Sequence, residues 1–397
     1  MEQLIQTIKL KANEHYNKVV AHRRHLHMNP ELSFNEVQTA AYVQSHLTAL
    51  NIPFKTNIGG YGIVALIEGK HATSKVVALR ADMDALPITE ANQVEYKSKN
   101  TGVMHACGHD AHTASLLGVA TILSEIKNNF NGTAKLIFQP AEEKLPGGAS
   151  LMIADGVLQN PTPASIIGQH VMPMIDAGKV GFRSGIYMAS TDELYMTVKG
   201  KGGHGAMPHL NTDPVLVMAH IIVALQQIVS RNANPIMPSV LSFGKVIANG
   251  ATNVIPDEVK LEGTFRTLDE KWRTEAHKRM VHMASTLAAS MGASCELKIV
   301  RGYPALINEP ELTARARSYA VDYLGESNVI DLDIWMAAED FAYYSQVTNA
   351  CFYRLGTRNE ARGITSSVHT PTFDIDEGAL QIGAGLLAYT ALRELGN

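Results

Sequence analysis

Cysteine is scarce in this chain: Cys107, Cys295 and Cys351 are the three present in 397 residues. An odd, sparse set builds no disulfide framework and suits a reducing cytosol. Basic charge is not in excess either. Lys and Arg number 34 against 38 Asp and Glu, a formal net charge of −4, and no basic cluster offers the stripe that nucleic acid needs. No apolar run approaches the roughly 20 residues that span a bilayer. The start, Met1-Glu2-Gln3-Leu4-Ile5-Gln6-Thr7-Ile8, lacks the basic and apolar stretches of a secretion signal. A cytoplasmic protein without nucleic-acid or membrane partners is expected. Several catalytic motifs are missing as well: no Gly-x-Ser-x-Gly elbow, no His-x-Glu with Pro-Cys-x-x-Cys, no His-Glu-x-x-His, and no nucleotide loop at Gly202-Gly203.

At 397 residues the chain exceeds one ordinary core, so two domains are expected. Hydrophobic residues at 46% and charged residues at 18% mark a globular chain. No long-period repeat or low-complexity tract is present. Residues 2–28 read as one amphipathic helix, with Leu4, Ile5, Ile8, Tyr16, Val19 and Val20 near helical spacing, ending at Asn29-Pro30. A helix at 35–50 and strands at 63–67 and 76–79 follow. A helix opened by Cys107-Gly108-His109 leads to strands at 133–138 and 165–171. This alternation predicts an α/β fold with a mostly parallel sheet, whose ligand sites lie beyond the strands' carboxyl ends. Asp82/Asp84, Glu142/Glu143 and His170 each fall at such an end.

From about residue 186 the pattern changes. A strand at 194–198, a glycine loop Gly200-Lys201-Gly202-Gly203-His204-Gly205, a helix at 213–230, strands at 240–246 and 259–266 and a helix at 270–291 make a β-α-β-β-α set. The simplest account is a small α+β domain, residues 186–298, inserted into a larger discontinuous domain of residues 1–185 and 299–397. The chain returns to the latter with a helix at 311–324, a strand at 351–355 and a closing helix from 377. Cys295 and Cys351 fall in apolar strand-like runs and are expected to be buried thiols.

The chemistry concentrates in two segments. Cys107-Gly108-His109-Asp110-Ala111-His112 packs a thiol, two imidazoles and a carboxylate onto a glycine turn. Thiolate, imidazole and carboxylate together favour zinc or a similar divalent transition ion over magnesium or calcium. Cys107 and His109 form a close pair that His170, His369 and Glu143 could complete by folding. Any one of the sixteen histidines is by default a solvated or core imidazole. His22, His25, His27, His71 and His220 have no acidic or thiol company along the chain and read as structural, while His112 and Asp110 read as orienters or ligands.

The second segment, Gln139-Pro140-Ala141-Glu142-Glu143, ends the apolar run 133–138 in adjacent carboxylates. In extended chain these point to opposite sides, so one can face a metal while the other moves a proton. The plain alternative is an exposed Glu-Glu pair opening a loop.

These segments carry a resemblance that runs nearly end to end. Arg24-His25-Leu26-His27-Met28-Asn29-Pro30-Glu31-Leu32, Arg80-Ala81-Asp82-Met83-Asp84-Ala85-Leu86-Pro87, Met104-His105-Ala106-Cys107-Gly108-His109-Asp110 and Gln139-Pro140-Ala141-Glu142-Glu143 are matched in order. So are Gly200-Lys201-Gly202-Gly203-His204-Gly205, Asn253-Val254-Ile255-Pro256 and Ala338-Glu339-Asp340-Phe341. The chain resembles the M20 peptidase family, in the branch of N-acyl-amino-acid amidohydrolases, hippurate hydrolases and auxin-conjugate hydrolases. The resemblance implies a catalytic α/β domain in two sequence pieces and an inserted lid that mediates assembly into a homodimer or larger homo-oligomer. It implies two divalent ions per chain (Zn, Mn, Co or Ni) held by Cys107, His109, Glu143, His170 and His369, with Cys107 where other branches bridge the metals through an aspartate.

Glu142 is the implied general base. His204 is implied to steady the oxyanion, and Asn253 and Arg266 to touch the substrate, an arginine suiting its free carboxylate. Met172 stands where relatives often carry an aromatic, and Ala337-Ala338 where glycine or serine is common, so the acyl pocket is expected to differ. The implied reaction is water-driven cleavage, with the metals' help, of the amide of an N-acyl amino acid such as an N-acetyl or N-benzoyl conjugate. A dipeptidase or carboxypeptidase using the same centre, or a non-catalytic metal- or ligand-binding protein, is the alternative.

Overall fold

The strand Val76–Asp82 is buried at all seven positions, as is Thr133–Gln139. Such runs have no solvent face and need cover on both sides. In the computed structural model, which describes residues 2–397, these two strands lie side by side and parallel at the middle of an eight-stranded sheet. Spatial order runs Phe54–Ile58, Gly62–Glu68, Thr133–Gln139, Val76–Asp82, Ser165–Asp176, Ala350–Arg358, Val180–Phe182, Val329–Asp331. Val76–Asp82, Ser165–Asp176 and Ala350–Arg358 continue the parallel core, while the first two strands pair antiparallel at one edge. Helices His109–Glu125 and Ala379–Glu394 pack on each other and on the central strand. This mixed, mostly parallel α/β sheet is the fold class expected from the sequence.

The chain divides into two units. The first holds the residues up to Tyr187 with Ile307–Ile334 and Asp340–Asn397. The second holds Met188–Leu306 with Trp335–Glu339. In the second, four antiparallel strands lie in the order Ser239–Ile247, Glu258–Thr267, Asp192–Lys199, Ser294–Arg301. Asp192–Lys199 alternates buried and solvent-facing residues, the signature of a sheet covered on one face. Leu194, Met196 and Val198 meet Val217, Ile221 and Leu225 of helix Pro214–Gln227 and Ala276, Met280 and Ala284 of helix Glu270–Ser290 in one core. Both helices start on an aspartate cap. Asp213 accepts from the amides of Val215 and Leu216, with Pro214 opening the first turn, and Asp269 accepts from those of Lys271 and Trp272.

Several details depart from the sequence reading. The single helix expected over 2–28 is two, Glu2–Glu14 and Tyr16–Met28, broken at His15. The alternating segment Ser294–Arg301 is a strand paired along Asp192–Lys199, which carries the second unit past residue 298. Cys295 lies on that edge strand, partly exposed, whereas Cys351 is buried as expected. Among the described residues, Pro214–Asn232 is long and apolar enough to cross a membrane. Its inner face instead packs on the second unit's sheet, through Val217, Ile221, Leu225 and Ile228.

Candidate metal centre

Gly108 precedes helix His109–Glu125 with φ 82, and a Cβ there would fall 2.4 Å from Val171 Cγ2. Only glycine permits this turn against this neighbour. The turn brings Cys107 Sγ within 3.4 Å of His170 Nε2, which lies in the middle of strand Ser165–Asp176 and not at its end as the sequence suggested. The donor atoms of Cys107, His109 and His170 all lie within 4.8 Å of one another, and so do those of Cys107, Glu143 and His369. The five expected ligands therefore gather as two triads that share the thiol. Glu142 joins from the side, its donor oxygen within the same 4.8 Å of His109 and Glu143.

The rings are turned for this. His170 Nδ1 donates to the Val171 carbonyl at 2.7 Å, which leaves the Nε2 lone pair facing Cys107. His109 directs Nδ1 at Asp84 Oδ1, 3.1 Å away, while its buried Nε2 has no hydrogen-bond partner. Glu143 Oε1 is also buried, with the His369 Nε2 ion pair at 3.2 Å its one close partner. A buried polar atom left unpaired, as His109 Nε2 is, is costly, and a cation held by its triad would answer it. Electrostatics agree. Burial and then Glu143 push the Cys107 thiol up, and bonds to Cys107 and Glu143 push His369 up to about 10. A divalent ion held there would act against both shifts. A thiolate, imidazole and carboxylate set fits a transition ion.

Beneath the ligands lies a buried polar bed. His112 accepts from the Val171 amide at 2.9 Å through Nε2 and donates from Nδ1 to Asp82 Oδ1 at 2.6 Å. Both its nitrogens are engaged, so it serves as an orienter. Arg80 bonds Asp82, Gln139 and Asp340 at 2.6, 2.9 and 2.8 Å, and the Asp340 amide reaches Glu142 Oε1 at 3.3 Å. Burial pushes the Asp82 carboxyl up, but Arg80, His109 and His112 outweigh it and hold it well below the usual range.

Two local readings change. Glu142 and Glu143 do not diverge because the chain is extended. The strand ends at Gln139, Ala141 turns left-handed with φ 53, and Asp84 accepts the Glu142 amide on Oδ1 and the Glu143 amide on Oδ2, at 3.1 and 3.0 Å. His27 is not without acidic company: it sits 2.7 Å from Asp110 and 3.3 Å from Glu90, and Arg23 joins the same cluster through Asp110 and Asp374. Asp110 thus turns away from the ligand set. Asp84, Arg80 and Asp340 sat in the matched motifs but were assigned no role. Apart from the Arg80–Asp82 bond, their partners lie far away in sequence, where local spacing carries no signal.

The remaining expected residues lie in the second unit. His204 pairs opposite Val254 in a two-residue ribbon, the Gly205 amide bonds the Asn253 carbonyl at 2.8 Å, and His204 Nδ1 accepts from the Ala206 amide at 3.0 Å. His204 and Asn253 are exposed. Arg266 stands on strand Glu258–Thr267 and donates to the Met336 carbonyl at 3.2 Å.

Comparison with known proteins fits this arrangement. Residues 78–393 match peptidase family M20/M25/M40. The chain is 43% identical over 309 residues to an N-acyl-L-amino acid amidohydrolase of Geobacillus stearothermophilus, covering 77% of this chain and 81% of that protein. It is 39% identical over 378 residues to the N-acetyl-L-cysteine deacetylase of Bacillus subtilis, covering 95% and 88%. A solved Bacillus subtilis structure, described as a dinuclear metal-binding peptidase of the M20 family, superposes with a TM-score of 0.83 at 33% identity, covering 97% and 99%.

Proposed function

The chain belongs to peptidase family M20/M25/M40 and is a metal-dependent amide hydrolase; from that premise we propose that it cleaves N-acyl amino acids, holding two divalent ions between Cys107, His109, Glu143, His170 and His369. The observation that carries this reading is the pair of ligand triads sharing Cys107, with Glu142 beside them. Divalent ions bound there would supply Lewis acidity to the scissile carbonyl and to the attacking water.

Glu142 acts on the proton. Its carboxylate takes one from water as the oxygen adds to the carbonyl carbon, then returns it to the amide nitrogen as the C–N bond breaks. The products are a carboxylate and a free amine. Glu142 is nearly buried, and the Asp340 amide fixes Oε1, so the group is oriented before substrate arrives. Asp84 holds both glutamate amides, which keeps base and ligand in separate directions. In this reading His204 donates to the developing oxyanion, and Asn253 and Arg266 receive the amino-acid half of the substrate, Arg266 pairing its carboxylate.

Assembly through the second unit belongs to the same reading. Val223 is 74% exposed, Leu216 52% and Val246 53%, on the outer side of helix Pro214–Gln227 and on the edge strand Ser239–Ile247. Three free thiols suit a reducing cytoplasm. The test is a panel of N-acetyl and N-benzoyl amino acids run against dipeptides after reconstitution with zinc, manganese, cobalt or nickel. Faster turnover of the dipeptides would replace the acylase reading with a peptidase one. Sedimentation of Val223→Asp against the natural chain checks the assembly.

A further inference from the structure

Glu36 is fully buried, yet it is neither a proposed ligand nor a proposed base. It stands at the amino-terminal boundary of helix Val37–Ala49, but its side chain makes no capping bond there. Its Oε1 instead accepts two backbone amides, from Phe34 at 3.0 Å and from Ala141 at 2.8 Å, the latter 105 residues away along the chain. Both donors are left-handed without being glycine: φ is 67 at Phe34 and 53 at Ala141. L-residues hold that conformation only where their surroundings over-determine it.

Ala141 is so placed. Its amide ends on Glu36, and the next two amides, of Glu142 and Glu143, end on Asp84. From the other side its carbonyl accepts the Gly148 amide at 2.9 Å, and a Cβ at Gly148 would fall 1.8 Å from the Pro140 oxygen. Three successive amides thus terminate on two buried carboxylates, with no neighbouring strand to hold them.

We propose that Glu36 is a positioning residue, the clamp that holds Ala141 left-handed so that Glu142 and Glu143 leave the strand end in two fixed directions. This rests on the reading of Glu142 as the base and Glu143 as a ligand. Burial, with Asp84 adding to it, pushes the Glu36 carboxyl up to about 7. The amide oxygen of a glutamine can accept from Ala141 in the same way, so Glu36→Gln is the conservative variant.

The test has two independent readouts on the full chain. In metal-free protein, amide hydrogen exchange of the peptide over residues 139–147 is compared between the natural chain, Glu36→Ala and Glu36→Gln. Exchange there should accelerate about tenfold or more in Glu36→Ala while residues 76–82 stay protected, and return to the natural rate in Glu36→Gln. In metal-reconstituted protein, Glu36→Ala should lose about 30- to 100-fold in kcat with KM within about threefold, and Glu36→Gln should recover most of it. Natural exchange and natural kcat in Glu36→Ala would overturn the proposal, and so would equal impairment of the two variants. Should Glu36→Ala not fold, Glu36→Asp, one methylene short of Ala141, is read by the same criteria. Normal turnover in Glu142→Gln would sink the base reading alone, because the exchange readout needs neither metal nor catalysis.

Discussion

The two units present their proposed functional residues in opposite ways. In the first, Cys107, His109, Glu142 and His170 are buried or nearly so, His369 alone of the proposed ligands being exposed, and His109 and His170 each have a second ring nitrogen fixed by a partner. In the second, His204 and Asn253 sit in solvent on a ribbon of two paired residues. Groups that bind ions and move protons need fixed geometry and a low dielectric, which burial supplies. Groups that meet a substrate from outside have to remain accessible. The same contrast separates buried polar networks, expensive to disturb, from exposed positions that tolerate change.

The largest expected effect falls on the buried side. Glu142→Gln should lower kcat about 10³-fold, within the range for a general acid–base group, while metal content measured by elemental analysis stays at two ions per chain. Normal turnover with metals bound would remove Glu142 from the mechanism. Next is Arg23→Leu. Arg23 is completely buried and bonds Asp110 and Asp374 at 2.8 and 2.7 Å, so its loss strands carboxylates and should cost about 3–5 kcal/mol in denaturant unfolding. A cost under about 1 kcal/mol would show that the cluster contributes little beyond packing.

On the exposed side, His204→Ala should lower kcat about 10²-fold if it donates to the oxyanion, with unfolding unchanged. Loss of both activity and stability together would blur the contrast between the units. The last effect concerns pH. Burial pushes His22 down to about 3, with His46 and Lys18 adding to it, while the unfolded imidazole sits near 6.5. The unfolded chain therefore binds this proton first. The stability His22 confers is full above about pH 6.5 and falls by up to about 1.4 kcal/mol per unit as pH drops towards 3. Urea midpoints between pH 7 and 4 should decline less steeply in His22→Gln, and an unchanged slope would assign the acid sensitivity elsewhere.

Legibility in the sequence followed the range of the interactions. Buried runs such as 133–138 announced strands because every side chain there is apolar or shielded, and Gly108 announced a turn because no other residue fits it. The run around Cys295 read as strand-like, but that Ser294–Arg301 belongs to the second unit follows only from its pairing along Asp192–Lys199. His27 looked isolated because Asp110 and Glu90 reach it across the fold. Glu36 carried no local signal at all, since its acceptor role depends on an amide 105 residues away.

By itself, then, the sequence determined the donor chemistry and the class of sheet. Thiol, imidazole and carboxylate are properties of residue types, and an apolar run needs cover wherever it lies. Only the tertiary structure decided which nitrogen of each histidine turns inward, which carboxylates are pins beneath the site, and how Glu142 and Glu143 part. Those outcomes depend on hydrogen bonds between distant segments, whose angles and distances exist only once the sheet has brought its strand ends together.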